Sequence, residues 1–330
     1  MLQESSRLPQ LKADETRRVR CFDKRWVLQL IPVAILSVMF VGVVTPYLQQ
    51  QARNSDAFKV LYNDTTAIRM GQRMTNGSTN VLHIEVLVGG LNTETFDMSL
   101  TSYITHIPDK LKDPTTHRLL QPFRLMVGRY STVVSANSSN PYGPMAAQIP
   151  LTSGSLSQYP LDRYSALLKI EAMTGLGPHT GEATEKIQVL MTYYGVEDYA
   201  WDYTVKKLAL SEADRMYVGS TENADMFLIS GGRKSNFYVY IGLMWLGIWS
   251  VTIAVGYIGS MIVIWNREPV DSPEIFLTAL FAVPAFRNTA PGKPPYGCLF
   301  DITCTYFAIT VIFIYLLSVA FKYISKKKRN

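Results

Sequence analysis

The chain is poor in charge, cysteine and histidine. Of its 330 residues, 18% are charged, three are cysteine and four are histidine. Each shortage excludes something. Cys21 precedes the first long apolar run, and Cys298 and Cys304 lie beside the last. Residues 50–235 therefore have no disulfide framework and must rely on a hydrophobic core, for which that length is ample. Cys21 stands where palmitoylation occurs, but a plain unmodified thiol is the preferred reading. His83, His106, His117 and His179 are separated by 23, 11 and 62 residues and form no His-x-x-x-His pair. They read as exposed or strand-face histidines, so no metal site is expected. Gly-x-Ser-x-Gly, phosphate-cradling and dinucleotide glycine motifs are all missing. No catalytic residue and no cofactor are assigned.

What charge there is lies unevenly. Residues 1–25 carry 7 basic and 4 acidic side chains, 26–236 carry 17 and 18, and 237–330 carry 8 and 4. The basic excess flanks long uncharged runs, which argues for a lipid bilayer as partner and against nucleic acid. Val27–Tyr47, Phe237–Trp265 and Ile302–Phe321 are runs of 21, 29 and 20 residues without a charge. At ~1.5 Å per residue each can cross a ~30 Å hydrocarbon layer. The first is too long and starts too late for a cleaved signal peptide, and reads as a signal anchor. Ile275–Phe286 is a 12-residue apolar run, short enough for a re-entrant helix. Arg17, Arg18, Arg20, Lys24 and Arg25 place the N-terminus in the cytosol, as Lys322, Lys326, Lys327, Lys328 and Arg329 place the C-terminus. Both ends inside require an even number of crossings, so the short segment is expected to cross as well.

The resulting layout is a basic cytosolic tail at 1–25, a transmembrane helix at 26–48 and a lumenal or extracellular β domain at 50–235. A transmembrane helix at 237–265 follows, then a short crossing or re-entrant helix at 272–288, a Pro/Gly turn at 289–299, a transmembrane helix at 300–323 and a basic tail at 324–330. Ser250 with Ala254, and Gly256 with Ser260, are small residues four apart that could seat a neighbouring helix. Sequons at Asn63, Asn76 and Asn137 all fall in the middle region, consistent with a glycoprotein domain outside the cytosol. Lys327 and Lys328 match a dilysine retrieval signal to the endoplasmic reticulum, or else a basic stop to the last helix.

The middle region alternates with period two. Leu82, Ile84, Val86 and Val88 share one face, as do alternate residues of Phe96–Ile104, Tyr164–Ile170 and Ile187–Met191. Further strands are expected at Phe123–Val127, Thr204–Leu210, Met216–Val218 and Met226–Ile229. Gly89–Asn92, Gly175–Gly181 and Gly231–Gly232 read as turns, and Ser135–Ser157 as a long loop. Seven to nine short strands predict an all-β sandwich-like domain joined to one N-terminal and three C-terminal membrane helices.

Two motifs stand out. In Leu280–Gly297, Pro284 falls near a helix end, where Arg287 and Asn288 can bond the last carbonyls. Pro291, Gly292, Pro294, Pro295 and Gly297 then make a stiff turn before Asp301, which reads as an N-cap. The second motif is Tyr159-Pro160-Leu161-Asp162-Arg163-Tyr164, a turn led by Pro160, with Asp162 bonding local amides and Arg163 pairing across a strand. Together these segments resemble the domain-of-unknown-function 4436 family of integral membrane proteins. The resemblance implies an N-terminal span, an extracytoplasmic domain and a C-terminal membrane hairpin, and it implies no activity. The aromatic-Pro-x-Asp turn is also similar to one in pentameric ligand-gated channels. The flanking cysteine pair is missing, however, and a span precedes the sandwich.

Tyr193, Tyr194, Glu197, Asp198, Trp201 and Asp202 form the best candidate ligand site, since aromatic faces beside acids could grip a sugar or a cation. A strand, a turn and a strand with core aromatics and solvated acids explain the same pattern. The function expected is a non-enzymatic binding or interaction module, with a protein partner or oligomer formed through the sandwich or the helices. A transporter or channel subunit, or a membrane enzyme acting on lipid or glycan, are the alternatives.

Overall fold

The structure, a computed structural model, describes residues 58–64, 81–116, 118–135, 138, 140–175, 185–209, 224–265 and 274–327, with 41, 45 and 49 in isolation. The run at 26–48 as a whole, Asn76, Asn137, His117, His179, the strand expected at Met216–Val218, and the side chains of Lys327 and Lys328 lie outside the described residues. Two compact units, Met1–Asp56 and Ala57–Asn330, are present, and every element named below belongs to the second.

Among the described residues ten strands come first: β1 (Phe58–Asn63), β2 (Leu82–Asn92), β3 (Asp97–His106), β4 (Phe123–Val127), β5 (Tyr130–Val134), β6 (Met145–Gly154), β7 (Arg163–Thr174), β8 (Val189–Val196), β9 (Trp201–Lys207) and β10 (Asp225–Arg233). Three helices follow: α1 (Ser235–Val263), α2 (Glu274–Asn288) and α3 (Tyr306–Lys327), the last preceded by a π-helical turn at Asp301–Thr305. The main strand order is β1-β8-β2-β3-β6-β7-β10-β9, with β4 between β5 and β7. Among the described strands only β2 and β8 run parallel.

The period-two faces are where alternation places them. Leu82, Ile84, Val86 and Val88 are buried, as are Tyr164, Ala166, Leu168 and Ile170. They meet Phe123, Leu125, Val127, Phe227 and Ile229 in one continuous core. Two antiparallel-rich layers therefore bury facing apolar surfaces. β6 bends from one layer into the other: Met145–Pro150 pair with β3, and Leu151–Gly154 pair with β7. This bend makes the sheet nearly continuous around the core.

Several loop and turn expectations are corrected here. Ser135–Ser157 is not one long loop, because it contains β6. Ala147, Ile149 and Leu151 alternate into the core there, among residues of low strand propensity that hide the pattern. Gly231-Gly232 is not a turn but part of β10. A Cβ at Gly231 would stand 3.0 Å from Leu91, so glycine lets the two layers approach closely. Likewise Gly89 and Gly90 continue β2 through an irregularity in its pairing with β3.

The three expected C-terminal spans are reduced to two. α1, and the Asp301–Ser325 stretch, are long and apolar enough to cross a membrane. α2 has 15 residues, about 22 Å at ~1.5 Å per residue, which falls short of ~30 Å. α1 buries Phe237, Ile241, Met244, Ile248, Thr252, Val255, Gly259 and Ile262, a stripe of spacing three and four against the other helices. Of the two small-residue pairs, Gly256 and Ser260 face α3, where the Ser260 and Tyr315 hydroxyls lie 2.8 Å apart. Ser250 and Ala254 are exposed.

Candidate functional site

Residues of the two sequence motifs meet where the strands give way to helices. Tyr159 lies at the end of a short 3-10 turn, Leu156–Gln158, and its peptide bond to Pro160 is cis. The Tyr159 ring packs in the helical core, against Phe237 of α1 and Phe300 before the π-turn. Its hydroxyl donates to the Pro291 carbonyl at 2.9 Å, and its own carbonyl accepts from the Phe300 amide at 3.2 Å. Burial pushes the Tyr159 phenol above its ordinary pKa, so it stays a neutral donor across the physiological range.

Asp162 does not bond local amides as a turn residue would. Both its carboxylate oxygens accept from Arg233, the last residue of β10, at 2.9 and 2.8 Å. The two side chains are 1% and 2% exposed, so this is a fully desolvated, bidentate pair. The guanidinium is stacked as well: its carbon lies 3.7 Å from the Trp201 ring centroid, 4.4 Å from Phe237 and 5.4 Å from Tyr159. Gly292, at φ 77°, brings backbone to this guanidinium, and a Cβ there would sit 3.5 Å from Nη1. Arg163 does not share the site. It is exposed and stands opposite Gly232 in the β7–β10 pairing.

A second buried pair lies in the helical part. Arg287, at the end of α2, donates through Nε and Nη2 to Asp301, both at 3.0 Å, and through Nη2 to the Pro294 carbonyl at 2.7 Å. The Gly297 amide also donates to Asp301. Asp301 is therefore an ion-pair partner within a π-turn and not a simple N-cap, because the arginine outcompetes the helix amides for its oxygens. The Tyr296 ring covers the Arg287 guanidinium at 4.1 Å. Pro284 sits inside α2, one turn before its end. Pro291, Pro294 and Pro295 stiffen the connection, and Asn288 accepts a long 3.5 Å bond from Tyr296.

Other β-domain loops touch the helices too. Lys234, between β10 and α1, donates from its amide to the Ala200 carbonyl at 3.1 Å and pairs with Glu197 at 3.0 Å. Tyr199 donates to the Asn236 carbonyl, and Lys293 lies 3.9 Å from Glu94. Sequence reasoning missed Arg233. The available signal was a lone arginine between a strand pattern and an uncharged run.

The Tyr193–Asp202 cluster does not form a common face. Tyr193 is fully buried in the β core, and Trp201 serves as the floor for Arg233. Glu197 pairs with Lys234, Asp198 accepts from the Ala200 amide, and Asp202 pairs with Lys59. Tyr194 is half-buried in β8. Among the described residues no group of three metal-ligating side chains occurs. Asn63 ends β1, half-buried.

His83 and His106, 23 apart in sequence, face each other across β2 and β3 with ring centroids 5.4 Å apart. Burial first, and then the facing His106, lower the His83 pKa. The unfolded chain thus binds a proton more readily than the folded one, so stability falls as pH drops through about 6.5 and below. His83→Gln should flatten that acid limb of a denaturation-versus-pH curve. An unchanged limb would show that other groups govern it.

Two family models match the chain. Residues 72–219 match a domain of unknown function, DUF4436, and residues 233–326 match another, DUF8686. The DUF4436 match covers β2 to β9 of the β-rich region and leaves β1 and β10 outside it. It contains the Tyr159–Tyr164 motif, whereas Leu280–Gly297 falls in the DUF8686 match, so the likeness to DUF4436 does not extend to the last helix. The DUF8686 match opens at Arg233, the residue that joins the β-rich region to the helices. A search of curated proteins finds no match.

Proposed function

We propose that the DUF4436 domain is a non-enzymatic binding module outside the cytosol, and that its state is passed to membrane helices through Tyr159, Asp162 and Arg233. One observation carries this reading. The longest-range polar contacts of the junction tie a β-domain turn to the α2–α3 connection, with Tyr159 bonded to Pro291 and Phe300. A domain displayed merely for adhesion has no need of so exact a seat on the loop between two helices. The basic tails and the three sequons support a lumenal or extracellular β domain, a signal anchor at 26–48 and a multipass chain of the endomembrane system or plasma membrane.

Tyr159→Phe keeps the ring and removes one hydrogen bond, costing on the order of 1 kcal/mol. In nanodiscs, amide exchange at 289–300 should quicken severalfold while β2 and β3 keep their protection. Unchanged exchange at 289–300 would end the coupling reading. A second reading, a channel or transport subunit, is favoured by the position of the aromatic-Pro-x-Asp turn on a loop between helices. A multimeric detergent particle that conducts ions in liposomes would select it.

A further inference from the structure

We infer that the DUF4436 domain holds a small, neutral, amphipathic molecule in a cavity between its two layers. The inference deepens the binding reading above by naming the site and the class of ligand. A cavity of about 210 Å³ opens between β3 and the start of β6 on one side and the β4–β5 hairpin on the other. An engineered apolar cavity of ~150 Å³ already admits benzene, so this one holds a six-membered ring with a few substituent atoms.

The lining shows what chemistry such a molecule would need. Ile104, Leu125, Val134 and Met145 supply apolar walls. Two polar residues break the inward faces of otherwise apolar strands: Ser102 interrupts Met98, Leu100 and Ile104 on β3, and Thr132 stands opposite Leu125 on β5. Ser102 is already used, donating to the Met145 carbonyl at 3.2 Å. For the Thr132 hydroxyl, and for the side-chain nitrogen of the exposed Asn140 at the rim, no partner occurs among the described residues. The Asn140 oxygen accepts from the Tyr142 amide, and its carbonyl accepts from Gly143. These bonds hold the exposed Asn140 side chain at the rim of the cavity without occupying its donors. Among the described residues no charged side chain lines the space, so an ion would lose its hydration without compensation. A ring with one hydroxyl satisfies both halves of the lining: carbon against the four apolar side chains, oxygen toward Thr132 and Asn140.

The probe is p-cresol, titrated against the full chain in nanodiscs and read by saturation-transfer NMR, with empty nanodiscs as the lipid control. Saturable transfer above that control is expected. Asn140→Ala and Thr132→Val each remove one hydrogen-bonding group without opening the core, and each should weaken binding roughly three- to tenfold. Met145→Trp fills the space and should abolish binding. Transfer no greater than from empty nanodiscs, or undiminished in Met145→Trp, overturns the inference. Toluene binding as tightly as p-cresol would overturn the role given to Thr132 and Asn140. Saturable binding that leaves exchange at 289–300 unaffected retires the coupling while the site stands. Loss of the site with the Tyr159→Phe result intact does the reverse.

Discussion

Arg233→Leu lowers the stability of the β domain by about 3–5 kcal/mol, the usual cost of removing one partner from a buried ion pair. The reason is the stranded carboxylate. Asp162 is 1% exposed, and both its oxygens are directed at the guanidinium. With leucine at 233 no water reaches the carboxylate, and the cation stack on Trp201, Phe237 and Tyr159 disappears as well. Several kcal/mol in a domain of this size corresponds to roughly 10 °C in midpoint. Arg233→Lys should recover little, because an ammonium has neither the bidentate fork nor the flat face that stacks on Trp201. The double variant Arg233→Leu/Asp162→Leu separates pair from packing: with no charge left buried, it should be more stable than Arg233→Leu alone. Thermal denaturation of the detergent-solubilised chain measures all three. A midpoint within 2 °C of wild type for Arg233→Leu would mean that solvent reaches Asp162.

The strands were legible where the alternation is strong and the residues are β-branched or aromatic. β2, β4, β7 and β10 all show this, because one buried face forces period two onto the sequence. β6 was not legible. Its inward residues Ala147, Ile149 and Leu151 alternate with Ala146, Gln148 and Pro150, a pattern that reads as loop. Yet this strand is the one that bends between the layers, where Pro150 stands at the change of partner and a lost amide costs little. The site divides in the same way. Tyr159, Pro160 and Asp162 announce a turn, but the meaning of that turn lies in Arg233, 71 residues from Asp162, and in Pro291, 132 from Tyr159. Local spacing carries no trace of either partner. Nor could the pattern of Tyr193–Asp202 reveal that each acid already had a partner, two of them lysines, Lys234 and Lys59.

Asp301→Asn should destabilise the helical part by a similar several kcal/mol, and the sequence did hold a hint of this. Between Ile275 and Phe321 the only charged residues are Arg287, Lys293 and Asp301. Two opposite charges that persist in so apolar a stretch are costly unless they meet. They do meet, with side chains 7% and 0% exposed. Asparagine is nearly isosteric and can still accept from the Gly297 amide, but it leaves the Arg287 guanidinium without its counter-ion beneath Tyr296. The Arg287 bond to the Pro294 carbonyl then remains as the main tie between α2 and the turn. The α2 end and the 289–300 connection should therefore loosen before α1 does, whose stripe packs on α3 independently through Gly259, Ser260 and Tyr315. Because Phe300 donates to Tyr159 from that same connection, the loosening should reach the β-domain turn. The check is amide exchange in nanodiscs, comparing 284–300 with 241–262. Faster exchange confined to the first segment is the expected result, and Arg287→Gln/Asp301→Asn, with no bare charge remaining, should restore part of the protection. Uniform loosening of both segments, or none, would show that the pair is not what holds the connection in place.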